Sequence, residues 1–383
     1  MATIDHTTAA VLSGASPGQS TASPPRLWFV DNLRILLISL VVLHHVAGTY
    51  SGLPAWYYTE KPTSGAVGVG LTVFLLVDQA WFMGAFFLLS GYFTPRSYDR
   101  KGPRAFLRDR LVRLGIPLVT FSFVLNPILY AGSYHGGSLL DAYLHTIGTG
   151  PLWFVLALLV LDGSYAVFRL VTGERRSRNR TPQPPTYPTV IGFVPALALV
   201  TYVLRIALPL GFEVPVINFP SSAYLPQYVS FFVLGTVAYR RGWFHATTAR
   251  MGRVGLGMAI GATLVLLPLA LTGGTDAMLG YGTLSSLFYA LWDSTFAVGI
   301  VLALLTFFRR RLNTQGPLRR YLSGHVFTVY VIHAFVVTAA GYALSMLDLP
   351  TPAKFAIAAV VVLPACFALA GPIRRLPGVR RVL

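Results

Sequence analysis

The stretch RILLISLVVLHHVAGTY, Arg34 to Tyr50, decides how this chain is read. It is apolar enough to enter a bilayer, yet it has an arginine at its head and two adjacent histidines about half-way along. A helix needs about 20 apolar residues to cross the hydrocarbon core. With Trp28 to Leu33 in front of it, this run predicts a membrane span over 28–50. Working outward, nine further runs of that kind follow, at approximately 67–91, 111–131, 151–171, 189–209, 222–240, 254–272, 284–307, 321–345 and 353–372. The second is long enough to tilt or to break near Gly84.

Composition points the same way. Of 383 residues 54% are hydrophobic and 11% charged, with a mean hydropathy of +0.62. A soluble domain carries about 25% charged residues. The expected fold class is therefore an all-α polytopic membrane protein of about ten transmembrane helices. Residues 1–27, rich in Thr, Ser, Ala and Pro, read as a disordered tail, 28–372 as the membrane domain and 373–383 as a basic tail. The first apolar run exceeds a signal-peptide core and lacks a basic segment close to the start, so it is read as a retained span.

In a soluble chain a net charge of +17 would suggest nucleic acid. Here the distribution of charge decides otherwise, and no nucleic-acid partner is expected. Alternate connections collect the arginines, as in TPRSYDRKGPRAFLRDRLVR, YRRGWFHATTARMGR and FFRRRLNTQGPLRRY. Of 30 basic residues, only Lys61, Arg205 and Lys354 fall on or near the other side. The positive-inside rule then places both termini and the arginine-rich loops in the cytoplasm, which requires an even number of spans. Cys366 is the one cysteine, so no intrachain disulfide is available. The sequence has no metal-spaced Cys/His cluster, P-loop or G-x-S-x-G motif, and no metal is expected.

Arg34 and His45 are eleven residues apart, about three helical turns, so both fall on nearly one face with an axial separation of about 16 Å. Arg34 belongs at the edge of the span and His45 near its middle. An ionisable group at that depth faces a cavity or a partner and is a functional candidate by default. Asp78, Asp162, Asp293 and His333 come out at similar depth. A carboxylate beside an imidazole would fix its tautomer and raise its basicity, as a general base requires. Asp31, three residues before Arg34, is placed to pair with it. The sequence leaves open which carboxylate reaches His45. Polar glue between helices uses the same residue types, so Asp162, Asp293 and above all His44 also carry a purely structural reading.

These residues resemble a family. DNLRILLISLVVLHHVAGTY is similar to the opening helix of the membrane-integral acyltransferase-3 family, whose mark is Arg, ten residues, then His. WFMGAFFLLSGYFTPRSYDRKGPRAFLRDRLVRLGIPLV resembles its Phe-rich FFxLSGYF helix followed by RLxRLxxP. GPLWFVLALLVLD and GHVFTVYVIHAFVV resemble its LWFL and YxxH segments. The resemblance spans about 28–372 and looks closest to the branch that succinylates periplasmic glucans.

The resemblance implies a membrane O-acyltransferase of the bacterial inner membrane. It would take an acetyl or succinyl group from cytoplasmic acyl-CoA, a co-substrate, to a hydroxyl of a carbohydrate or other acceptor on the far side. His45 would be the base, with Asp31 or a mid-membrane carboxylate orienting it and the doubled His44 as the alternative base. Asp78, Asp293 and His333 would support the site. Arg34, Arg96, Arg100, Lys101 and Arg104 would bind the phosphates of CoA, to which guanidinium groups are suited. Trp56, Tyr57, Tyr58 and Trp153 would stack on the sugar, or anchor the membrane interface. An alternative chemistry forms an acyl-enzyme on His45 or Ser90 before transfer, and Ser90 is disfavoured because it lies at the cytoplasmic end of its span, far from His45 in depth. Midplane Asp and His residues with Gly/Pro-broken helices also describe a proton-coupled transporter or polysaccharide exporter, the rival reading.

Overall fold

The computed structural model describes residues 26–54, 56–131, 136, 138–173, 182–214 and 220–383. The disordered tail expected over 1–27 lies almost wholly outside the described residues, as does much of the arginine-rich connection near 174–181.

The described residues fold as helices. In chain order they are α1 (Trp28–Tyr50), α2 (Gly65–Gln79), α3 (Phe82–Lys101), α4 (Pro103–Tyr130) and α5 (Leu139–Thr146). There follow α6 (Trp153–Thr172), α7 (Tyr187–Ala207), α8 (Leu225–Arg241) and α9 (Ala249–Leu271). The chain closes with α10 (Leu284–Arg311), α11 (Pro317–Ser345) and α12 (Thr351–Arg375). Among the described residues nine segments are long and apolar enough to cross a membrane, α2–α3 and α5–α6 each counting as one. α8, with 17 residues, packs along α3 and corresponds to the remaining expected run. Side-chain hydroxyls start several of these helices. Ser64, Ser138, Thr186, Thr248 and Thr283 each accept from the backbone N–H three residues on, satisfying a donor that the first turn leaves unpaired.

The second span breaks, but earlier than Gly84. Its two halves meet at Ala80–Trp81, where Gln227 of α8 donates to the freed Ala80 carbonyl at 2.7 Å and Gln79 donates to the Tyr228 hydroxyl at 3.0 Å. α4 is continuous but contains two π-helical turns, Leu111–Gly115 and Phe121–Leu125. Each ends two residues before a proline, Pro117 or Pro127. Proline lacks an N–H and its ring crowds the carbonyl four residues back, so a widened turn takes up the conflict.

Glycine sets the closest helix approaches. A Cβ on Gly91 would run into the backbone of Phe232, and one on Gly235 into the Leu88 carbonyl, so α3 and α8 touch backbone to backbone. Without a hydrophobic force between helices in lipid, such close packing contributes much of the association. Gly91→Ala is expected to destabilise by about 1–3 kcal/mol through overpacking. Thermal melting in detergent checks it, with Gly257→Ala, where nothing lies within 4 Å, as the silent control.

The two ends of the bundle differ in charge. At one end Asn32 of α1 donates to the carbonyls of Leu312 and Thr314, and Arg374 to that of Gly324. The arginine-rich connections gather here. At the opposite end Lys354 meets Glu60 at 2.5 Å and the Thr63 N–H meets the Thr351 hydroxyl at 2.9 Å. Two of the three basic residues assigned to that end are therefore buried in ion pairs. Besides Lys354, fully buried Arg205 contacts Asp293 at 2.5 Å and is sandwiched between Tyr224 and Tyr289, each ring centroid 4.9 Å away.

Candidate active site

α1 joins two cavities. Arg34 and Ile38 line one at the basic end, of about 1170 Å³, with Arg110 and Arg113 of α4, Tyr330 of α11 and Arg374 of α12. His45 lines the other, of about 800 Å³, nearer the opposite end, with Trp56, Tyr57, Asn126, Trp153 and Glu213 among its walls. The same helix face thus carries arginine in one cavity and histidine in the next.

The wall between them is thin. Tyr330 and Phe154 face the basic cavity, whereas Pro151 and Trp153 face the other. The Tyr330 hydroxyl donates to the Pro151 carbonyl, so a single hydrogen bond links the linings of both.

His45 is held by rings rather than by a carboxylate. Trp56 stacks on it at 3.8 Å and 21°, His333 lies at 5.1 Å and 24°, and His44 meets it edge-on at 5.5 Å. Its ring nitrogens make no hydrogen bond among the described residues and belong to the cavity lining. His333 is fully buried. Its Nδ1 lies 2.6 Å from the Tyr330 carbonyl, which accepts only if that nitrogen carries the proton. Nε2 is then the bare acceptor, and it has no partner among the described residues.

The expected carboxylate partners go elsewhere. Asp31 lies 2.8 Å from Arg26 and 3.7 Å from Arg34, fourteen residues from His45 along the helix. Asp78 pairs at 3.1 Å with His44, which also stacks on Phe82. Asp162 meets Arg110 at 2.9 Å and accepts from Thr94 at 2.8 Å, and Asp293 is committed to Arg205. The two adjacent histidines therefore have separate surroundings, a carboxylate for His44 and a cavity for His45.

The basic set is also redrawn. Of Arg34, Arg96, Arg100, Lys101 and Arg104, only Arg34 lines the basic cavity. Arg96, Arg100 and Arg104 are exposed, and Lys101 is tied to Asp109 at 2.7 Å. The reason is the reversal at Gly102, whose φ of +76° turns the chain between α3 and α4. The first half of the basic stretch is left outside, Arg110 is carried into the bundle, and Arg113 lines the cavity from an exposed position. These two, with Arg374, were missed as individual residues, although RLxRLxxP contains Arg110 and Arg113.

At the other cavity Trp56 and Trp153 take part, and Tyr58 does not. Tyr58 packs on Tyr342 at 4.6 Å and reaches Glu60 at 3.4 Å. Tyr57 donates to Asn126, which donates in turn to the Thr146 carbonyl at 2.7 Å. Burial beside Tyr130 and Tyr330 pushes the Tyr57 phenol well above its ordinary pKa, so it stays a donor. A Cβ on Gly150 (φ +46°) would meet Tyr57, Asn126 and Phe121, which is why this corner needs glycine. Asn126 and Glu213 carried no motif that would have marked them.

Among the described residues no group of three His, Cys, Asp or Glu is placed to hold a metal ion. The arrangement offers a free imidazole in an aromatic cavity, a guanidinium cluster in a neighbouring one, and one layer of side chains between.

Comparison with known proteins identifies the family. The family model described as an acyltransferase domain, acyltransferase-3, matches residues 27–371. Glucans biosynthesis protein C of Salmonella typhimurium and that of Salmonella typhi are each 27% identical over 335 residues, covering 82% of this chain and 83% of the relative. With nine apolar segments of spanning length among the described residues, the chain is a multi-pass membrane acyltransferase that belongs to the acyltransferase-3 family.

Proposed function

We propose that the protein moves an acetyl or succinyl group from acyl-CoA in the basic cavity to a hydroxyl of a carbohydrate in the aromatic cavity. The observation that carries this reading is the placement of Arg34 and His45 on one helix, each in its own cavity, with the two linings joined by the Tyr330–Pro151 hydrogen bond. The basic end is the cytoplasmic one by the positive-inside rule, so both termini face the donor pool. The inner membrane of a bacterium is the setting that fits a glucan acceptor on the far side.

His45, neutral, takes the proton of the acceptor hydroxyl as its oxygen attacks the thioester carbonyl carbon. The C–O bond forms, the C–S bond breaks, and the imidazolium returns its proton to the departing thiolate. Among the described residues no carboxylate hydrogen-bonds to this base, although Glu213 shares its cavity. Trp56, stacked on His45, and His333, its other near-parallel neighbour, fix the plane of its ring. The acyl end of the donor crosses at Tyr330 and Pro151. Arg34, with Arg110, Arg113 and Arg374, neutralises the CoA phosphates. Trp56, Trp153 and Asn126 suit a sugar, whose apolar faces stack and whose hydroxyls need hydrogen-bond partners. The glucan relatives support a glucan acceptor, and the branch resemblance a succinyl group.

The donor half is tested by comparing Arg34→Ala with wild type on two thioesters. For acyl-CoA the variant is expected to raise KM about 10- to 100-fold, the value of a charge-assisted contact of about 1.5–3 kcal/mol. For the acyl-pantetheine thioester, which lacks the nucleotide, KM is expected to be unchanged. An equal rise with both donors would move Arg34 away from the phosphates.

A further inference from the structure

A third cavity lies apart from the two already described. It is a slot of about 670 Å³ between α7, α8 and α10, lined by Phe193, Phe231, Val298, Val301, Leu302 and Leu305. Almost all of its surface is carbon. Its polar exceptions are at the basic end, where the short helix Trp243–Ala246 and Thr247 close it.

That end has donors without acceptors. Thr247 is 4% exposed, lines the slot, and its hydroxyl has no partner among the described residues. The indole N–H of Trp243, also in the lining, has none either. Arg309 forks onto the carbonyls of His245 and Thr247, and it meets no carboxylate among the described residues. Its positive charge is therefore uncompensated beside the mouth. The His245 imidazole, outside the spans, is held below its ordinary pKa by burial and by Arg309, so it adds no second charge.

The orphaned hydroxyl and indole N–H call for an oxygen ligand, the Arg309 charge beside them favours an anionic one, and the slot beneath suits a hydrocarbon chain. We propose that this slot is a binding site for an anionic phospholipid. One acyl chain fills the space between α7 and α10, and the phosphodiester accepts from Thr247 and Trp243 beside Arg309. The site is separate from the acyl-transfer cavities and does not depend on the donor or acceptor assigned above. The lipid would seal α7 against α8 and α10 where side chains leave a gap.

The test is native mass spectrometry of the full-length protein in detergent, titrated with palmitoyl-oleoyl phosphatidylglycerol or with phosphatidylcholine of the same chains. Wild type is expected to retain one phosphatidylglycerol with about fivefold preference, the effect of one basic residue on an anionic lipid. Leu302→Trp, which fills the slot, is expected to lose that adduct while remaining a folded monomer. Thr247→Val is nearly isosteric, leaves the slot open and keeps Arg309, so it decides the matter independently by lowering the retention of phosphatidylglycerol severalfold. Equal retention of both lipids by wild type would overturn the proposal. So would an unchanged adduct in both variants, or a dimer in place of the lipid adduct.

Discussion

Replacement of His45 by alanine is expected to lower kcat for acyl transfer by about 10²- to 10⁴-fold, the span typical of a lost general base. KM for the donor should move little, because the phosphates bind in the other cavity. His44→Ala is the informative partner. It leaves Asp78 buried without the imidazole 3.1 Å away, so its effect should appear as about 1–3 kcal/mol of lost stability rather than as lost chemistry. Product formation by mass spectrometry and thermal melting of each variant separate the two. The reverse pattern, an active His45→Ala and a folded but inactive His44→Ala, would assign the base to the His44–Asp78 pair.

The largest expected effect on stability is at Arg205. Arg205→Met removes the cation but leaves Asp293 fully buried with Ser294 as its remaining side-chain partner. Breaking a buried pair from one side destabilises by about 3–5 kcal/mol, because the surviving charge is uncompensated. Converting both partners, Arg205→Met with Asp293→Leu, is expected to recover most of that loss, since two well-packed apolar groups carry no such penalty. The double-mutant cycle in detergent, read by thermal or denaturant unfolding, measures the coupling. Additive losses would show that the two residues act independently.

Hydropathy made the spans legible because a membrane helix has to satisfy its backbone internally and shield it with apolar side chains. The expected run over 321–345 became α11, Pro317–Ser345, and 353–372 became α12, Thr351–Arg375. Arg34 and His45 were legible for a similar reason, since helix geometry alone puts them on one stripe.

Partners across the bundle were not legible. His44 finds Asp78 at a separation of 34 residues, Arg205 finds Asp293 at 88, and Thr94 finds Asp162 at 68. Depth in the membrane restricts such pairs but does not choose among them, because several carboxylates share one level. The choice is made by how each helix is rotated and packed in the bundle. The short helix α5 was missed altogether. The basic stretch after the second span misled for a local reason. One glycine at positive φ reverses the chain there, and only the arginines beyond it enter the cavity.

Arg205 and Lys354 looked like violations of a charge rule. They are ion-pair partners of Asp293 and Glu60. Lys354 anchors the loop that carries Trp56, because Glu60 lies four residues beyond the tryptophan stacked on His45.

The central claim is that a thioester donor in the basic cavity is cleaved by a base in the neighbouring one. The most direct measurement is thiol release from acetyl-CoA and succinyl-CoA by detergent-purified protein, with glucan present and the acyl group isotopically labelled. Wild type is expected to release thiol and place the label on the glucan, and His45→Ala is expected to do neither. Equal release by wild type and His45→Ala, or thioester cleavage with no label on the glucan, would contradict the account.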